Sequence, residues 1–403
     1  MKLKKIVAAS ALTLAAATGA NAQVSGDVIK IGIITDMSGL YSDIDGAGGV
    51  EAIKMAVADM GGAVGGKKVE VVFADHQNKA DVAAAKAREW FDTAGVDMLI
   101  GGTNSGTNLA MAKVAAEKKK LFIAIGAATS ALTNEQCNPY TVHWAYDTVA
   151  LAKGTGNAVV KQGGKSWYFL TADYAFGAQL QNDTTKVVEA AGGKVVGSVK
   201  HPLGATDYSS YLLQAQSSGA KAIVILNAGL DLSNALKQAA EFRIAKGGQA
   251  VSVFGMTINS VAAMGQATAA GLNITVPFYW DHDDASRAWS KRFMDRNNGV
   301  VPTYIMAGVY SAVTHYLKAV QSSGTDAGPA VVAKMKATPI NDFMSKDVKI
   351  REDGQVMRPV YAVEVKAPAQ SKSKFDFYTI GGTIPAEQVF RPLSEGGCDF
   401  VKK

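Results

Sequence analysis

Along this chain, short runs of branched apolar residues alternate with stretches in which apolar positions recur every three or four residues. Val28–Thr35, Lys68–Ala74, Met98–Ile100 and Leu121–Ile125 carry the first pattern and predict strands. Ala47–Met60, Ala80–Ala94 and Gly106–Lys118 carry the second and predict the helices between them. Strand, helix and strand at this spacing imply parallel crossovers, and hence an α/β sheet covered on both faces.

The same grammar restarts after a break. Pro139 to Asp147 holds Tyr140, Trp144 and Tyr146 without a helical period, and Thr148–Lys161 then opens a new helix. Ser166–Thr171, Lys194–Val199, Ala222–Leu226 and Val251–Phe254 predict a second strand set, with helices at Ala175–Ala191, Tyr208–Ser217 and Leu232–Glu241. A third segment adds a strand at Thr275–Trp280 and helices at Ala285–Asn297, Thr303–Ser322 and Ala330–Ala337. Strand-like patterns return at Gly354–Lys366 and Phe375–Ile380, on either side of a polar turn around Gln370–Lys374. Two series of similar length predict an α/β protein of two doubly wound lobes. Crossings near 145, 278 and 355 would make each lobe discontinuous: 23–145 with 279–355, then 146–278 with 356–403 and the C-terminal tail. Three crossing segments would form a hinge on which the lobes close over a ligand.

Composition changes this picture at the start of the chain. Lys2, Lys4 and Lys5 precede an apolar stretch, Ile6 to Ala17, and Ala20-Asn21-Ala22 offers small residues for cleavage. Residues 1–22 therefore predict a signal peptide, removed on export to the periplasm. Ser10, Thr13 and Thr18 interrupt the stretch below the length of a bilayer span. No cysteine adjoins the cleavage site to accept a lipid. Loss of the three leader lysines takes the formal charge from +6 to +3, too small to argue for a nucleic-acid partner. The two cysteines, Cys137 and Cys398, predict a single disulfide in an oxidising compartment, two separate thiols being the alternative.

Candidate chemistry gathers in loops that leave strands and open helices, where ligands of open parallel sheets sit. Gly101-Gly102-Thr103-Asn104-Ser105-Gly106-Thr107 supplies glycines for close approach, hydroxyls and a helix N-terminus suited to a carboxylate, although Asn104 or Ser105 as an ordinary cap explains it equally. Gly126-Ala127-Ala128-Thr129-Ser130 is a second such loop. In the second lobe, Tyr174 and Phe176 follow Asp173 at the equivalent position and, with Tyr41 after the first strand, offer an apolar wall. Among the histidines, His282 beside Asp281, Asp283 and Asp284 has the strongest metal-binding look, but acids before a helix favour its dipole in any case. Neither a nucleophile elbow nor a phosphate-binding glycine loop is present, so neither catalysis, a metal nor a cofactor is expected.

The order Ile31-Gly32-Ile33 to Ser38-Gly39, Gly46 to Ala58, Gly101–Thr107, Gly126–Thr129 and Tyr174–Gly177 resembles the type I periplasmic binding proteins of branched-chain amino acid transporters. The resemblance implies two lobes joined by a three-strand hinge and delivery of a small organic acid to the permease of an ABC importer, as a monomer. It implies that Ser105, Ala127 and Thr129 hold the ligand carboxylate, with Ala128 beside them. Phe176 would cover the ligand, and Asn227 and Ala228 would follow the Ala222–Leu226 strand. Amino-acid-binding members place an acid after the next strand, whereas here Gly255-Met256-Thr257-Ile258 stands there, so Met256 takes its place. A ligand ammonium would then lack its counter-charge, which favours an aromatic or other hydrophobic carboxylic acid. Asp231 as a displaced counter-charge keeps amino acids and amides as the alternative, and presentation to a separate receptor is a further one.

Overall fold

A computed structural model describes residues 24–161 and 163–401. The predicted signal peptide, 1–22, lies outside these described residues.

The first lobe is built on a six-stranded sheet. Its strands are β1 (Val28–Thr35), β2 (Ala63–Val64), β3 (Lys67–Asp75), β4 (Met98–Gly101), β5 (Leu121–Ala124) and β6 (Thr141–His143), in the order β2-β3-β1-β4-β5-β6. All pairs are parallel except the short β2–β3 hairpin. Helices α1 (Gly46–Asp59), α2 (Ala80–Asp92) and α3 (Ser105–Glu117) are the crossovers. The strands read as near-continuous apolar runs because helices cover both faces: β4 and β5 are buried throughout. β6 falls in the stretch that showed no period, since three residues are too few to display one.

The chain then enters the second lobe through a helix that is not uniform. The sequence reads Thr148–Lys161 as one helix, whereas the structure has α4 (Thr148–Leu151), a π-helical stretch at Ala152–Gly156 and α5 (Asn157–Lys161). Gly154 within the widened stretch lets the strand carrying Thr275 pack closely against it: a Cβ there would lie 2.4 Å from Thr275 Oγ1. Strands β7 (Ser166–Ala172), β8 (Lys194–His201), β9 (Ala222–Ala228) and β10 (Ala250–Gly255) form a parallel sheet in the order β10-β9-β7-β8. Helices α6 (Ala175–Ala190), α7 (Ser209–Ser217) and α8 (Gly229–Glu241) cross over, and the short α9 (Ile258–Met264) and α10 (Gln266–Ala269) follow. Both lobes thus repeat one strand order, with the winding reversing between β1 and β4 and between β7 and β9.

β11 (Asn273–Val276) is shorter than the expected Thr275–Trp280 strand, because Pro277 has no N–H to donate. Phe278, Tyr279 and Trp280 pack instead in aromatic clusters, Phe278 edge-on to Trp289 at 5.9 Å. α11 (Asp284–Arg296), α12 (Tyr304–Ser323) and α13 (Gly328–Ala337) return to the first lobe. Arg292 and Arg296 there pair with Asp59 and Glu51 of α1. A hairpin of β12 (Ile340–Asp342) and β13 (Ser345–Val348) leads to β14 (Val360–Val365), which pairs antiparallel with β11 on one side and with β15 (Tyr378–Ile384) on the other. β11, β14 and β15 thus form a three-stranded antiparallel sheet of their own. After α14 (Ala386–Val389) the tail crosses back to the loop after β5, where Cys398 is disulfide-bonded to Cys137.

Candidate functional site

The carboxyl ends of the two parallel sheets face one another across a narrow, nearly closed crevice of about 10 Å³. It opens where the winding of each sheet reverses, the position at which doubly wound folds leave room between diverging crossovers.

From the first lobe, Thr103, Asn104 and Ser105 line it after β4, and Gly126 and Ala128 after β5. Asn104 adopts φ +123, unusual for a residue with a side chain, and several bonds hold it there. Its Oδ1 accepts from Gly106 N and Thr107 N at 2.9 and 3.2 Å, capping α3, and its carbonyl accepts from Thr107 Oγ1 and Asn108 Nδ2, both at 2.9 Å. Ser105, the first residue of α3, accepts from Thr129 N at 3.2 Å and keeps its hydroxyl hydrogen to donate. Gly102 and Gly126 permit this closeness. A Cβ on Gly126 would lie 2.4 Å from Thr103 N, and one on Gly102 2.0 Å from Thr35 Oγ1.

Buried polar side chains fasten the same loop from below. Asp45 accepts from Thr103 N at 2.9 Å and from Thr35 Oγ1 at 3.0 Å; burial pushes its carboxyl up to about 7 against these bonds. His76 donates from Nε2 to Thr103 O at 3.1 Å and accepts from Asn78 N at Nδ1, which fixes the neutral tautomer, and burial lowers its pKa. His143, pushed down to about 4 by burial, donates to Ala127 O at 2.7 Å.

The second lobe contributes Tyr174 before α6 and Phe176 in its first turn, Ala228 at the end of β9, Gly255 at the end of β10 and Thr257 after it. Tyr146, with Tyr304 and Ile305 at the start of α12, closes the hinge side, the two tyrosine rings meeting edge-to-face at 5.2 Å. Across the mouth the lobes touch. Tyr41 OH lies 2.7 Å from Tyr174 OH, Leu230 N donates to Leu40 O at 3.2 Å, and Asn259 Nδ2 donates to Asp43 O at 2.8 Å. Gly229, at φ +60, lets Leu40 O approach to a place only 2.5 Å from where a Cβ would stand. Among the described residues, none that lines the crevice is charged.

Of the residues singled out from sequence, Ser105, Ala128, Tyr174 and Phe176 come together as lining, as does Ala228. Tyr41 is fully buried behind Tyr174, and Thr129 stands one step behind Ser105. Ala127 packs in the first lobe's core. Asn227 lies beneath the second lobe's floor, its amide nitrogen 3.1 Å from His201 Nε2, and Met256 faces the core. Asp231 accepts from Gly204 N at 2.8 Å, among His201, Asn227 and Tyr208, and burial raises its pKa; it is not part of the lining. The Asp281–Asp284 run caps α11 and pairs with Arg287. Ile44, Tyr146, Thr257, Tyr304 and Ile305 are lining residues that the sequence did not mark. Tyr304 and Ile305 sit in an apolar helical pattern that reads as core, and only the fold brings α12 to the crevice.

Two wound α/β lobes, three connections and a crevice between the strand ends define a type I periplasmic binding protein. The family model described as "Periplasmic binding protein" matches residues 28–373, and the chain belongs to that family. A periplasmic binding protein from Burkholderia mallei is similar over 93% of this chain and 100% of that one, with 56% identity and TM-score 0.91. A branched chain amino acid ABC transporter periplasmic ligand-binding protein from Burkholderia xenovorans shares 38% identity, over 92% of this chain and 99% of that one, at TM-score 0.81. A solute binding protein of an ABC transporter from Rhodopseudomonas palustris, in complex with 3,4-dihydroxy benzoic acid, shares the fold. It is 24% identical over 90% of this chain and 98% of that one, at TM-score 0.80. The chain spans about half the length of the curated relatives it matches, such as Leu/Ile/Val-binding protein homolog 6 of Brucella abortus, 28% identical over 199 residues.

Proposed function

We propose that this protein is the exported, periplasmic substrate-binding component of an ABC importer, closing its two lobes on a hydrophobic, aromatic carboxylic acid and presenting the closed form to the permease. The observation that carries the reading is the division of the crevice. The Thr103 and Ser105 hydroxyls beside the start of α3 face an uncharged wall made of Tyr174, Phe176, Tyr146 and Tyr304. Such a wall accepts an aromatic ring, and the helix N-terminus accepts its carboxylate. Ser105, Ala127 and Thr129 hold the carboxylate, with Ala128 beside them. Phe176 and Tyr174 cover the ring, backed by Tyr41, while Asn227 and Met256 shape the floor. The lobes are 23–145 with 279–355, and 146–278 with 356–403, closing on the segments between them. Closure is driven by contacts that the ligand makes with both lobes at once, so its differential affinity for the closed form sets the extent of the shift.

The dihydroxybenzoate bound by the Rhodopseudomonas relative supports this reading. The names of the Burkholderia xenovorans and Brucella relatives favour a branched-chain amino acid instead. Against it, an ammonium in this crevice would meet no carboxylate, at a cost of several kcal/mol.

A thermal-shift screen over aromatic acids, aliphatic acids, amino acids and amides tests the choice. Aromatic acids should raise the melting temperature most; stabilisation by leucine alone would reject the proposal. In calorimetry, the Ser105→Ala/Thr129→Ala double variant should bind about 1–3 kcal/mol more weakly, the scale of hydrogen bonds to a charged group. Unchanged affinity would place the carboxylate elsewhere.

A further inference from the structure

A groove of about 640 Å³, larger than the crevice, lies at the opposite end of the second lobe, where β9 and β10 begin. Its floor includes Ala240 near the end of α8, Val251 on β10 and Leu272 just before β11, all at least partly open to solvent. Lys221, Arg243 and Lys246 stand around it, and among the described residues no acidic one lines it.

Arg243 sets this groove apart from the rest of the surface. The other exposed arginines, Arg88, Arg287, Arg292 and Arg296, each hold a carboxylate, whereas Arg243 has no ion pair or side-chain hydrogen bond among the described residues. It also occupies the position after the C-cap of α8 at φ +55, where glycine or asparagine is the ordinary occupant. An arginine there costs conformational energy, and its side chain gains no bond among the described residues. Three cations around a lining without an acid among the described residues concentrate a positive potential over the groove. Exposed charges bind weakly alone, so an occupant must also bury apolar surface on the floor.

We propose that this groove is a second ligand site, which takes an amphipathic organic anion. A carboxylate or sulfonate head is held by Arg243, Lys246 and Lys221, and an apolar ring or chain lies along Ala240, Val251 and Leu272. The volume is within the range of small-molecule sites. The site faces away from the crevice mouth, so its occupancy leaves lobe closure free, and it does not depend on what the crevice binds.

The test titrates the mature chain with 8-anilinonaphthalene-1-sulfonate, followed by fluorescence, with dodecanoate as competitor. One saturable site competed by dodecanoate is expected. Arg243→Gly/Lys246→Gln should bind the dye at least tenfold more weakly, while Phe176→Ala in the crevice binds it as the parent does. Arg243→Gly should melt no lower than the parent, since glycine suits that backbone. Equal dye affinity in the double variant, or loss of the dye in Phe176→Ala, would overturn the proposal. A lowered melting temperature in Arg243→Gly would do so too, by making the arginine structural.

Discussion

The two halves of the crevice are built in opposite ways. On the first-lobe side, the loops after β4 and β5 are held by buried polar side chains that bond to backbone: Asp45 and His76 to Thr103, Asn108 to Gly102 and Asn104, His143 to Ala127. On the second-lobe side the surface is presented by side chains, Tyr174 and Phe176, packed ring against ring at 6.0 Å. A backbone cradle fastened from beneath is rigid and indifferent to what the rest of the ligand looks like. An aromatic wall changes with each substitution. On the proposed reading, the contrast assigns the acid group to one half and the choice of its body to the other.

The sharpest way to break the comparison is to add one methyl group to each half. Gly126→Ala would drive a Cβ into the Thr103 backbone, which cannot yield, and should cost at least a hundredfold in ligand affinity, about 3 kcal/mol or more. Gly255→Ala meets the Phe176 ring at 3.3 Å and the Asn227 carbonyl at 3.0 Å, so it should change the ranking of ligands more than abolish binding. Calorimetry on both variants checks this, and equal losses would remove the distinction. Phe176→Ala should cost aromatic acids about 2–3 kcal/mol and small aliphatic acids much less. A uniform loss across ligands would show that the wall does not select.

Asp45 tests the fastening of the polar half through pH. Its folded carboxyl titrates at about 7, above the ordinary range near 4, so ionising it disfavours the fold. The stability it contributes is complete below about pH 4 and is lost as pH rises through 7. Asp45→Asn can keep the Thr35 and Thr103 bonds without a charge. Relative to the parent it should gain on the order of 2 kcal/mol at pH 8 and nothing at pH 4, read from thermal or urea unfolding. A difference independent of pH would exclude a raised carboxyl. The smallest effect is expected at the mouth. Tyr41→Phe removes the hydroxyl bonded to Tyr174 and should weaken binding by about 1 kcal/mol, roughly fivefold, without altering ligand preference. A change in preference would make Tyr41 part of the wall itself.

Much of this was legible in the chain. The strand–helix alternation marks both sheets, because the period of apolar positions is a local property that survives without tertiary context. β1 and β4 were placed within a residue of their observed ends. The glycine-rich loops stood out for the same reason: small residues between a strand and a helix mark close approach wherever the chain goes. The strand expected over Thr275–Trp280 shows the limit, since its aromatic half is apolar for the sake of a cluster with Trp289 and Phe343. Within the site, Ser105, Tyr174 and Phe176 carried local signals, whereas Tyr146 and Tyr304 carried none, being aromatics amid other apolar residues.

By itself, then, the sequence determined the repeated α/β alternation, the loops at strand ends where donors gather, and the want of an acid after β10. Those are features of neighbours along the chain, set by backbone geometry and residue type. Only the tertiary structure decided that α12 returns to close the crevice with Tyr304, that Asp231 turns away from it, and that Tyr41 meets Tyr174 across its mouth. Each depends on packing between segments tens to hundreds of residues apart, and no local period encodes which apolar face will meet which.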